Sequence, residues 1–200
     1  NGLAYQIPPD RIETGSFIIL AALAGKEVTI TDCEPAQVGV LLSLMRRAGG
    51  NIEVKKSSIT VRGGAPNETY KSISVRTHEY PGFPTDLQAP MAVFMSQASG
   101  EGAILETIFD GRFRYVDDLV RMGADITVMN PSRCLIRGPR TLTRKELESP
   151  DLRAGLAYII AAAVAEGTSI INNTYVIDRG YEQIEKRLQK LGLDIKREKI

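Results

Sequence analysis

The chain repeats one pattern three times, and this repeat limits the folds it can adopt more than any other feature. The segments R-A-G-G-N-I-E-V, R-M-G-A-D-I-T-V and K-L-G-L-D-I-K-R each read as a helix end, a glycine and an alternating strand. Their glycines, Gly49, Gly123 and Gly192, lie 74 and 69 residues apart. Glycine just past the last apolar turn usually marks a helix C-terminus. Because this period is too long for an ordinary solenoid, we predict one α/β domain made of three copies of a motif.

Each copy is predicted to run helix, strand, helix, strand. The first helix is apolar or small on nearly every side, so it must be buried all round. The second is amphipathic, with apolar residues at the spacings that form one helical face. We therefore expect buried helices at the centre, sheets around them and amphipathic helices nearer solvent. The predicted buried helices are 15–24, 89–98 and 154–165. The apolar faces of the amphipathic helices are Val38, Leu41, Leu42 and Met45 in the first copy, Val116, Leu119, Val120 and Met122 in the second, and Ile184, Leu188 and Leu191 in the third.

Alternating and β-branched segments supply the strands of the predicted copies. A single domain is expected to span residues 1–200, with repeats at approximately 10–63, 84–138 and 150–198. The strands upstream of the amphipathic helices are predicted at 26–30, 102–106 and 167–171, and further strands at 59–62, 72–76 and 134–137.

An aspartate precedes each buried helix: Asp10, Asp86 and Asp151. Aspartate is a preferred N-cap, since its carboxylate accepts a backbone N–H bond and suits the helix dipole. A carboxylate fixed at such a place is also a base that its surroundings can tune. Asp86 follows P-G-F-P-T, which is more rigid than a cap requires. Periodicity alone does not decide between the two roles.

Arginines stand near the same helix ends. Arg153 is a lone arginine at the start of a buried helix made otherwise of small residues, so it needs an anionic partner, either Asp151 or another carboxylate. The loops I-F-D-G-R-F-R and V-I-D-R-G-Y each carry aspartate before arginine, giving Arg112 and Arg179. One interpretation is aspartate caps with solvated arginines. The other is that helix N-termini and arginines converge on a phosphate or carboxylate.

Composition argues against several classes of protein. With 25 basic and 24 acidic residues and a net charge of +1, the chain has no electrostatic reason to bind nucleic acid or an anionic membrane. The longest apolar run, 154–165, is too short to span a bilayer. The polar, proline-rich start resembles no signal peptide, and the missing initial methionine suggests a fragment or a processed chain.

Little metal or redox chemistry is expected. Cys33 and Cys134 form no C-x-x-C motif, and His78 is the single histidine, so we predict no metal and no cofactor. Both cysteines are interpreted as small buried residues in a reducing compartment, the cytoplasm. His78 is interpreted as a surface loop residue.

Five motifs together resemble one enzyme family. P-G-F-P-T-D-L-Q-A, D-R-I-E-T-G-S-F, E-T-I-F-D-G-R-F, S-P-D-L-R-A-G and I-D-R-G-Y-E are similar to signatures of UDP-N-acetylglucosamine enolpyruvyl transferase, or 1-carboxyvinyltransferase, and run in family order along nearly the whole chain. The resemblance covers only the C-terminal half of that family. It implies one domain of the "inside-out" α/β barrel, with three βαβαββ-type units around buried helices.

The resemblance implies a reaction and its participants. The family moves the enolpyruvyl group of phosphoenolpyruvate to the 3-hydroxyl of UDP-N-acetylglucosamine and releases phosphate, the first committed step of peptidoglycan synthesis. Asp86 resembles the base that deprotonates the sugar hydroxyl, and Asp151 a second carboxylate by the reacting centre. Asp10 resembles a structural residue. Arg112, Arg153 and Arg179 resemble substrate-binding arginines, and Ile108 and Phe109 resemble the lining of the sugar pocket.

The parts missing from this chain set a further expectation. The family's loop with its cysteine general acid, its lysine–asparagine pair and several arginines belong to an N-terminal domain that the chain lacks. We therefore expect a half-site that is inactive alone and whose partner is that domain. Two alternatives stay open: a sister transferase acting on shikimate phosphate, and a non-catalytic binding module of the same fold.

Overall fold

The structure is a computed structural model that describes residues 2, 4–5, 7–63 and 70–198. Helices and strands are interspersed through this part of the chain. The helices are α1 (Arg11–Ala24), α2 (Gly39–Arg47), α3 (Gln88–Gln97), α4 (Val116–Met122), α5 (Leu152–Val164), α6 (Tyr175–Asp178) and α7 (Ile184–Lys190), with 3-10 turns at Pro35–Val38 and Thr85–Leu87. The strands are β1 (Glu27–Thr31), β2 (Asn51–Val54), β3 (Ser58–Arg62), β4 (Val75–Arg76), β5 (Gly100–Leu105), β6 (Asp125–Asn130), β7 (Arg133–Gly138), β8 (Glu146–Glu148) and β9 (Ile170–Asn172).

The three apolar helices α1, α3 and α5 contact one another at the centre of the molecule. Their buried runs cover residues 14–22, 88–96 and 154–161. Since these helices lack a polar face, burial on every side is the arrangement that keeps their side chains from water. The predicted central position of these helices is therefore correct, and their N-terminal ends become neighbours.

Three separate sheets lie around this centre. The first is antiparallel, in the order β1-β3-β2, and the second is mixed, in the order β4-β5-β7-β6. The third is the parallel pair β8-β9. In the described residues the sheets do not close on one another into a barrel, and the predicted α/β class agrees with this architecture.

The amphipathic helices α2, α4 and α7 turn their apolar faces to the core, with two corrections. Val120 in α4 is 43% exposed, because Val116, Leu119 and Met122 fill the buried face of this short helix. Leu191 is 45% exposed, because it lies one residue past the end of α7. Both residues were predicted to be buried and are not.

The helix-ending glycines behave as predicted. Their φ angles are 100° at Gly49, 115° at Gly123 and 91° at Gly192, a region that residues with a Cβ rarely adopt. The chain leaves each helix there and changes direction towards the next segment.

The strand predicted after Gly192 is wrong. β2 and β6 follow the first two glycines and pair with β3 and β7, whereas no following strand exists in the described residues to pair with 193–197. Backbone groups without a ladder partner do not form a strand. Leu193 and Ile195 still pack against the core, and Arg197 pairs with Asp178 through two bonds of 2.7 Å. The strand predicted at 72–76 is likewise shorter, only Val75–Arg76.

Candidate active site

Two of the three aspartates cap their helices as predicted. Asp10 Oδ1 accepts backbone bonds from Ile12 at 2.7 Å and Glu13 at 3.3 Å. Asp151 Oδ1 accepts from the backbone of Arg153 at 2.7 Å and Ala154 at 2.9 Å. Asp151 is exposed, and its second oxygen has no hydrogen bond to any described residue. It is therefore a cap whose carboxylate still faces solvent.

The prediction that Asp86 caps a helix is wrong. Asp86 lies inside the 3-10 turn Thr85–Leu87, and α3 begins afterwards at Gln88 with Leu87 as its N-cap. No side chain caps either element. The turn places the Asp86 carboxylate before the first residue of α3, where it reaches Arg112 and Arg153.

Asp86 lies between two arginines. Its Oδ1 accepts from Arg112 Nη2 at 2.6 Å, and its Oδ2 accepts from Arg153 Nη2 at 2.9 Å. The three side chains are only 27–28% exposed. Charge-assisted hydrogen bonds of this kind are the strong ones. The partner of Arg153 is thus Asp86 and not Asp151, and the start of α5 is tied to the start of α3.

The electrostatics keep Asp86 ionised. Burial acts to raise the pKa of the carboxyl, but the hydrogen bonds from Arg153 and Arg112 outweigh it and hold the pKa below its ordinary value of 3.8. Burial likewise acts to lower the pKa of the Arg153 guanidinium, and its hydrogen bond to Asp86 raises it. Two guanidinium groups share this one carboxylate, and guanidinium groups recognise phosphate and carboxylate anions.

Sequence reasoning missed two residues behind this cluster. Thr85 Oγ1 accepts a bond from Arg112 Nη1 at 2.8 Å and donates to Glu106 Oε2 at 2.8 Å. Glu106 is 2% exposed, which is rare for a carboxylate. The only signal in the sequence is its place at the head of the E-T-I-F-D-G-R-F motif, directly after an apolar strand.

Glu106 holds the backbone of Ile108 and Phe109, and Phe109 lies beside Arg112. Their backbone N–H groups donate to Glu106 Oε1 at 2.8 and 3.2 Å. Ile108 is half-buried, and the Phe109 ring is 56% exposed with the Arg112 guanidinium carbon 5.2 Å from its centre. An exposed aromatic ring under a cation offers an apolar surface next to the arginine pair.

Arg179 is set apart from the other predicted arginines. It follows the short helix α6, which the sequence did not predict, and so it does not begin a helix. Its side chain is exposed and forms no hydrogen bond or ion pair with any described residue, while its backbone N–H donates to the Ile177 carbonyl. Its neighbour Gly180 packs closely on the first turn of α5, where an added Cβ would lie 2.7 Å from Leu152 and 3.5 Å from Arg153 Nη1. Arg179 therefore lies near the cluster without contacting Asp86.

The remaining candidate groups lie elsewhere. Cys33 and Cys134 are buried free thiols, and burial raises the pKa of Cys134 to about 12. His78 is exposed next to Glu79. Within residues 2, 4–5, 7–63 and 70–198, no three His, Cys, Asp or Glu side chains are grouped so as to hold a metal ion. In the same ranges, none of the helices has both the length and the apolar character needed to cross a bilayer.

The geometry favours anion binding and proton transfer. A carboxylate, two arginines, a hydroxyl and an exposed aromatic ring meet where α3 and α5 begin. Arginines recognise phosphate and carboxylate groups, and an ionised carboxylate can accept a proton from a hydroxyl.

Comparison with known proteins identifies a family to which this chain is similar. The family model for EPSP synthase (3-phosphoshikimate 1-carboxyvinyltransferase) matches residues 1–188. Two curated proteins named UDP-N-acetylglucosamine 1-carboxyvinyltransferase, from Desulfosudis oleivorans and Klebsiella pneumoniae, are 44% and 39% identical over 98% and 100% of this chain. The chain covers 46% and 47% of those proteins, so it spans about half the length of the curated relatives it matches.

Solved structures share the fold. The enolpyruvyl transferase NikO from Streptomyces tendae matches with a TM-score of 0.87 at 24% identity, over 95% of this chain and 44% of that one. EPSP synthase from Acinetobacter baumannii matches with a TM-score of 0.71 at 18% identity, over 97% and 44%. These likenesses confirm the predicted fold class.

Proposed function

The chain belongs to the EPSP synthase (3-phosphoshikimate 1-carboxyvinyltransferase) family, and we propose that it is the C-terminal domain of a UDP-N-acetylglucosamine 1-carboxyvinyltransferase. The proposed reaction moves the enolpyruvyl group of phosphoenolpyruvate to the sugar 3-hydroxyl and releases phosphate. Relatives of that name, 39–44% identical across nearly the whole chain, support this acceptor. The step would supply peptidoglycan synthesis in the cytoplasm, a reducing setting that suits two free thiols.

One observation carries the proposal: the Asp86 carboxylate bridged by Arg112 and Arg153 at 2.6 and 2.9 Å. The reaction joins a hydroxyl to a substrate that bears a phosphate and a carboxylate. It needs a base for the hydroxyl and cations for the two anionic groups. The bridge supplies all of these within one cluster.

The proposed mechanism is addition followed by elimination. Asp86 accepts the proton of the sugar 3-hydroxyl while the hydroxyl oxygen bonds to the central carbon of phosphoenolpyruvate. In the same step an acid outside this chain protonates the methylene carbon. A base then takes a proton from the resulting methyl group, and the electron pair of that C–H bond restores the double bond as phosphate leaves with the electrons of its carbon–oxygen bond. Arginines beside the departing phosphate stabilise its charge.

Asp86 can act as a base only after its arginines change partner. While both of its oxygens accept from arginine, its pKa is held low and it has little tendency to take a proton. An incoming phosphate or carboxylate competes for Arg112 and Arg153. Once they turn to the substrate, the carboxylate loses its counter-charges and its pKa rises. Binding of the anion thus prepares the base.

The remaining predicted residues receive proposed roles around this step. Asp151, with one oxygen free of described partners, assists proton transfer or positions the substrate. Ile108 and Phe109 line the sugar pocket. Arg179, exposed and unpaired with described residues, binds phosphoenolpyruvate when a second domain closes over the cleft. That second domain, an N-terminal domain with the general acid, is the proposed partner of this chain. The division of residues 1–200 into three repeats stays a prediction.

The choice of acceptor tests the proposal. The chain would be joined to the N-terminal half of the Desulfosudis oleivorans relative, and phosphate release from phosphoenolpyruvate measured with UDP-N-acetylglucosamine or with shikimate 3-phosphate. We expect release with the sugar nucleotide only. Release with shikimate 3-phosphate would favour the sister transferase, for which the family model is named. Binding without release would favour a non-catalytic module.

A further inference from the structure

We propose that Glu106 is a positioning residue that sets the hydrogen-bond direction of Thr85 and, through it, the orientation of Arg112 towards Asp86. The inference rests on the proposed function for its kinetic consequences, while its structural consequences can be observed without turnover. Glu106 touches neither Asp86 nor Arg112 through a hydrogen bond, so it would act only through other residues.

The residues around Glu106 supply the hydrogen-bond donors that a buried carboxylate needs. The side chain is 2% exposed and accepts five hydrogen bonds from described residues. Burial acts to raise the pKa of its carboxyl, but the bonds from Thr85, Thr77 and the Ile108 and Phe109 backbone outweigh it and lower the pKa. A buried charge is tolerated when every lone pair has a donor. Glu106 is therefore ionised without an arginine or lysine partner.

The two oxygens of Glu106 hold two different parts of the site. Oε1 accepts from Thr77 Oγ1 at 2.8 Å and from the Ile108 and Phe109 backbone. Oε2 accepts from Thr85 Oγ1 at 2.8 Å and Gln88 Nε2 at 2.5 Å. One carboxylate thus joins the loop that carries Arg112 to the turn that carries Asp86.

Thr85 passes the effect of this charge to Arg112. A hydroxyl donates one hydrogen and accepts through two lone pairs. Because the ionised Glu106 takes the Thr85 hydrogen, the lone pairs of Thr85 Oγ1 face Arg112 Nη1 at 2.8 Å. This bond and the 2.6 Å bond to Asp86 together fix both Nη atoms of the guanidinium. Reversing the Thr85 hydroxyl would remove one of them.

Glu106→Gln tests the hydrogen-bond chain from Glu106 through Thr85 to Arg112, which we call the relay, because it removes the charge and keeps a side chain of the same size. The amide oxygen can stay towards the Ile108 and Phe109 N–H groups, which are fixed donors. The new amide nitrogen then faces Thr85 and donates to it, so the hydroxyl must rotate and its hydrogen can turn towards Arg112 Nη1. Gln88 can turn its amide to accept, which places its Nε2 where Oε1 is now buried without a described partner. The variant should therefore fold with the loss of stability of one unsatisfied buried group, while the Thr85 hydrogen loses its acceptor.

The kinetic test is a double-mutant cycle in the protein joined to an N-terminal half, using Glu106→Gln, Thr85→Val and both together. A displacement of about 1 Å at a reacting group can cost on the order of a hundredfold in rate, and we expect a loss of that size in kcat for each single variant. If Glu106 acts through Thr85, the double variant loses no more than either single one. Multiplied losses would overturn the relay.

A matched control is available on the strand that ends just before Glu106. Glu101 lies on β5 as an exposed carboxylate that pairs with Arg137 at 2.7 Å, away from the cluster. Glu101→Gln is expected to keep the kcat and KM of the unchanged protein. A loss equal to that of Glu106→Gln would show that removing any carboxylate from residues 101–106 has this effect, and would contradict the proposal.

Crystal structures of the unchanged protein and of Glu106→Gln separate this inference from the proposed function. We expect the Arg112–Thr85 bond to be absent in the variant, with the backbone of Thr85–Leu87 in place. An unmoved Arg112 would overturn the inference even if the enzyme turns over. A displaced Arg112 in a protein that releases no phosphate from either acceptor would support the inference and reject the proposed function.

Discussion

At the scale of single residues, the state of the Asp86 carboxylate decides what the site can do. Its two oxygens are occupied by Arg112 and Arg153, and it is the one predicted catalytic group that the structure places between cations. The prediction of a cap was wrong because a 3-10 turn precedes α3, and sequence periodicity does not reveal one extra turn. The prediction of an anionic partner for Arg153 was correct.

Asp86→Asn should lower kcat by about 10²- to 10⁴-fold, the range over which a general base contributes. The amide can still accept from one arginine, so the variant should fold with a loss of about 1–3 kcal/mol in the free energy of unfolding. The measurement is steady-state phosphate release with urea unfolding beside it. Asp110→Asn, an exposed aspartate two residues before Arg112, serves as the control and should keep its activity. A kcat within twofold of the unchanged protein would remove Asp86 as the base.

The charge on Glu106 should be visible as acid sensitivity. Its pKa in the folded protein lies below the ordinary value of 4.5, so the folded state binds fewer protons than the unfolded state as the pH falls. The stabilisation is complete above pH 4.5 and is lost as the pH falls through the folded pKa. We expect the free energy of unfolding, measured by urea titration from about pH 6 to pH 3, to fall less steeply in Glu106→Gln. Parallel curves would contradict an ionised Glu106.

Sequence reasoning could not find Glu106. It is one of 24 acidic residues, and nothing local marks it as buried. Its burial comes from Thr77 and Thr85, which lie 29 and 21 residues away along the chain and meet it only in the fold. A family motif contains the residue, but the role follows from the contacts.

At the scale of the elements, the apolar helices were the most predictable part of the fold. α1, α3 and α5 have no polar face, so their burial follows from composition alone. The strand predicted after Gly192 does not form in the described residues, because alternation marks a segment that could pair and does not show whether a partner strand exists. Val120 and Leu191 were misplaced for a similar reason: the periodic pattern continued past the face or the end of a short helix.

The two capping aspartates allow a test of whether the Asp151 carboxylate takes part in the reaction as well as capping its helix. Asp10 and Asp151 cap α1 and α5 with the same hydrogen-bond pattern, each accepting from two backbone N–H groups, and asparagine caps about as well as aspartate. Asp10→Asn and Asp151→Asn should therefore both keep stability within about 0.5 kcal/mol. If Asp151 assists the reaction, only Asp151→Asn should lower kcat in the phosphate-release assay. Equal activity of the two variants would leave Asp151 as a cap and nothing more.

At the scale of the whole molecule, the chain carries one side of a proposed cleft. Its cluster supplies a base and cations, while Arg179 stays exposed without a described partner and the chain spans about half the length of its curated relatives. Contacts from one side only must still offset the entropy of association, so the chain alone should bind its substrates weakly. The sequence motifs predicted this division because they matched only the second half of the family.

The most direct measurement is phosphate release from phosphoenolpyruvate and UDP-N-acetylglucosamine by this chain alone and by the chain joined to the N-terminal half of the Desulfosudis oleivorans relative. Circular dichroism would establish that both proteins are folded. We expect release by the joined protein and none by the chain alone. Release by the chain alone at a similar rate would contradict the half-site, and a folded joined protein that binds UDP-N-acetylglucosamine without releasing phosphate would contradict the proposed catalysis.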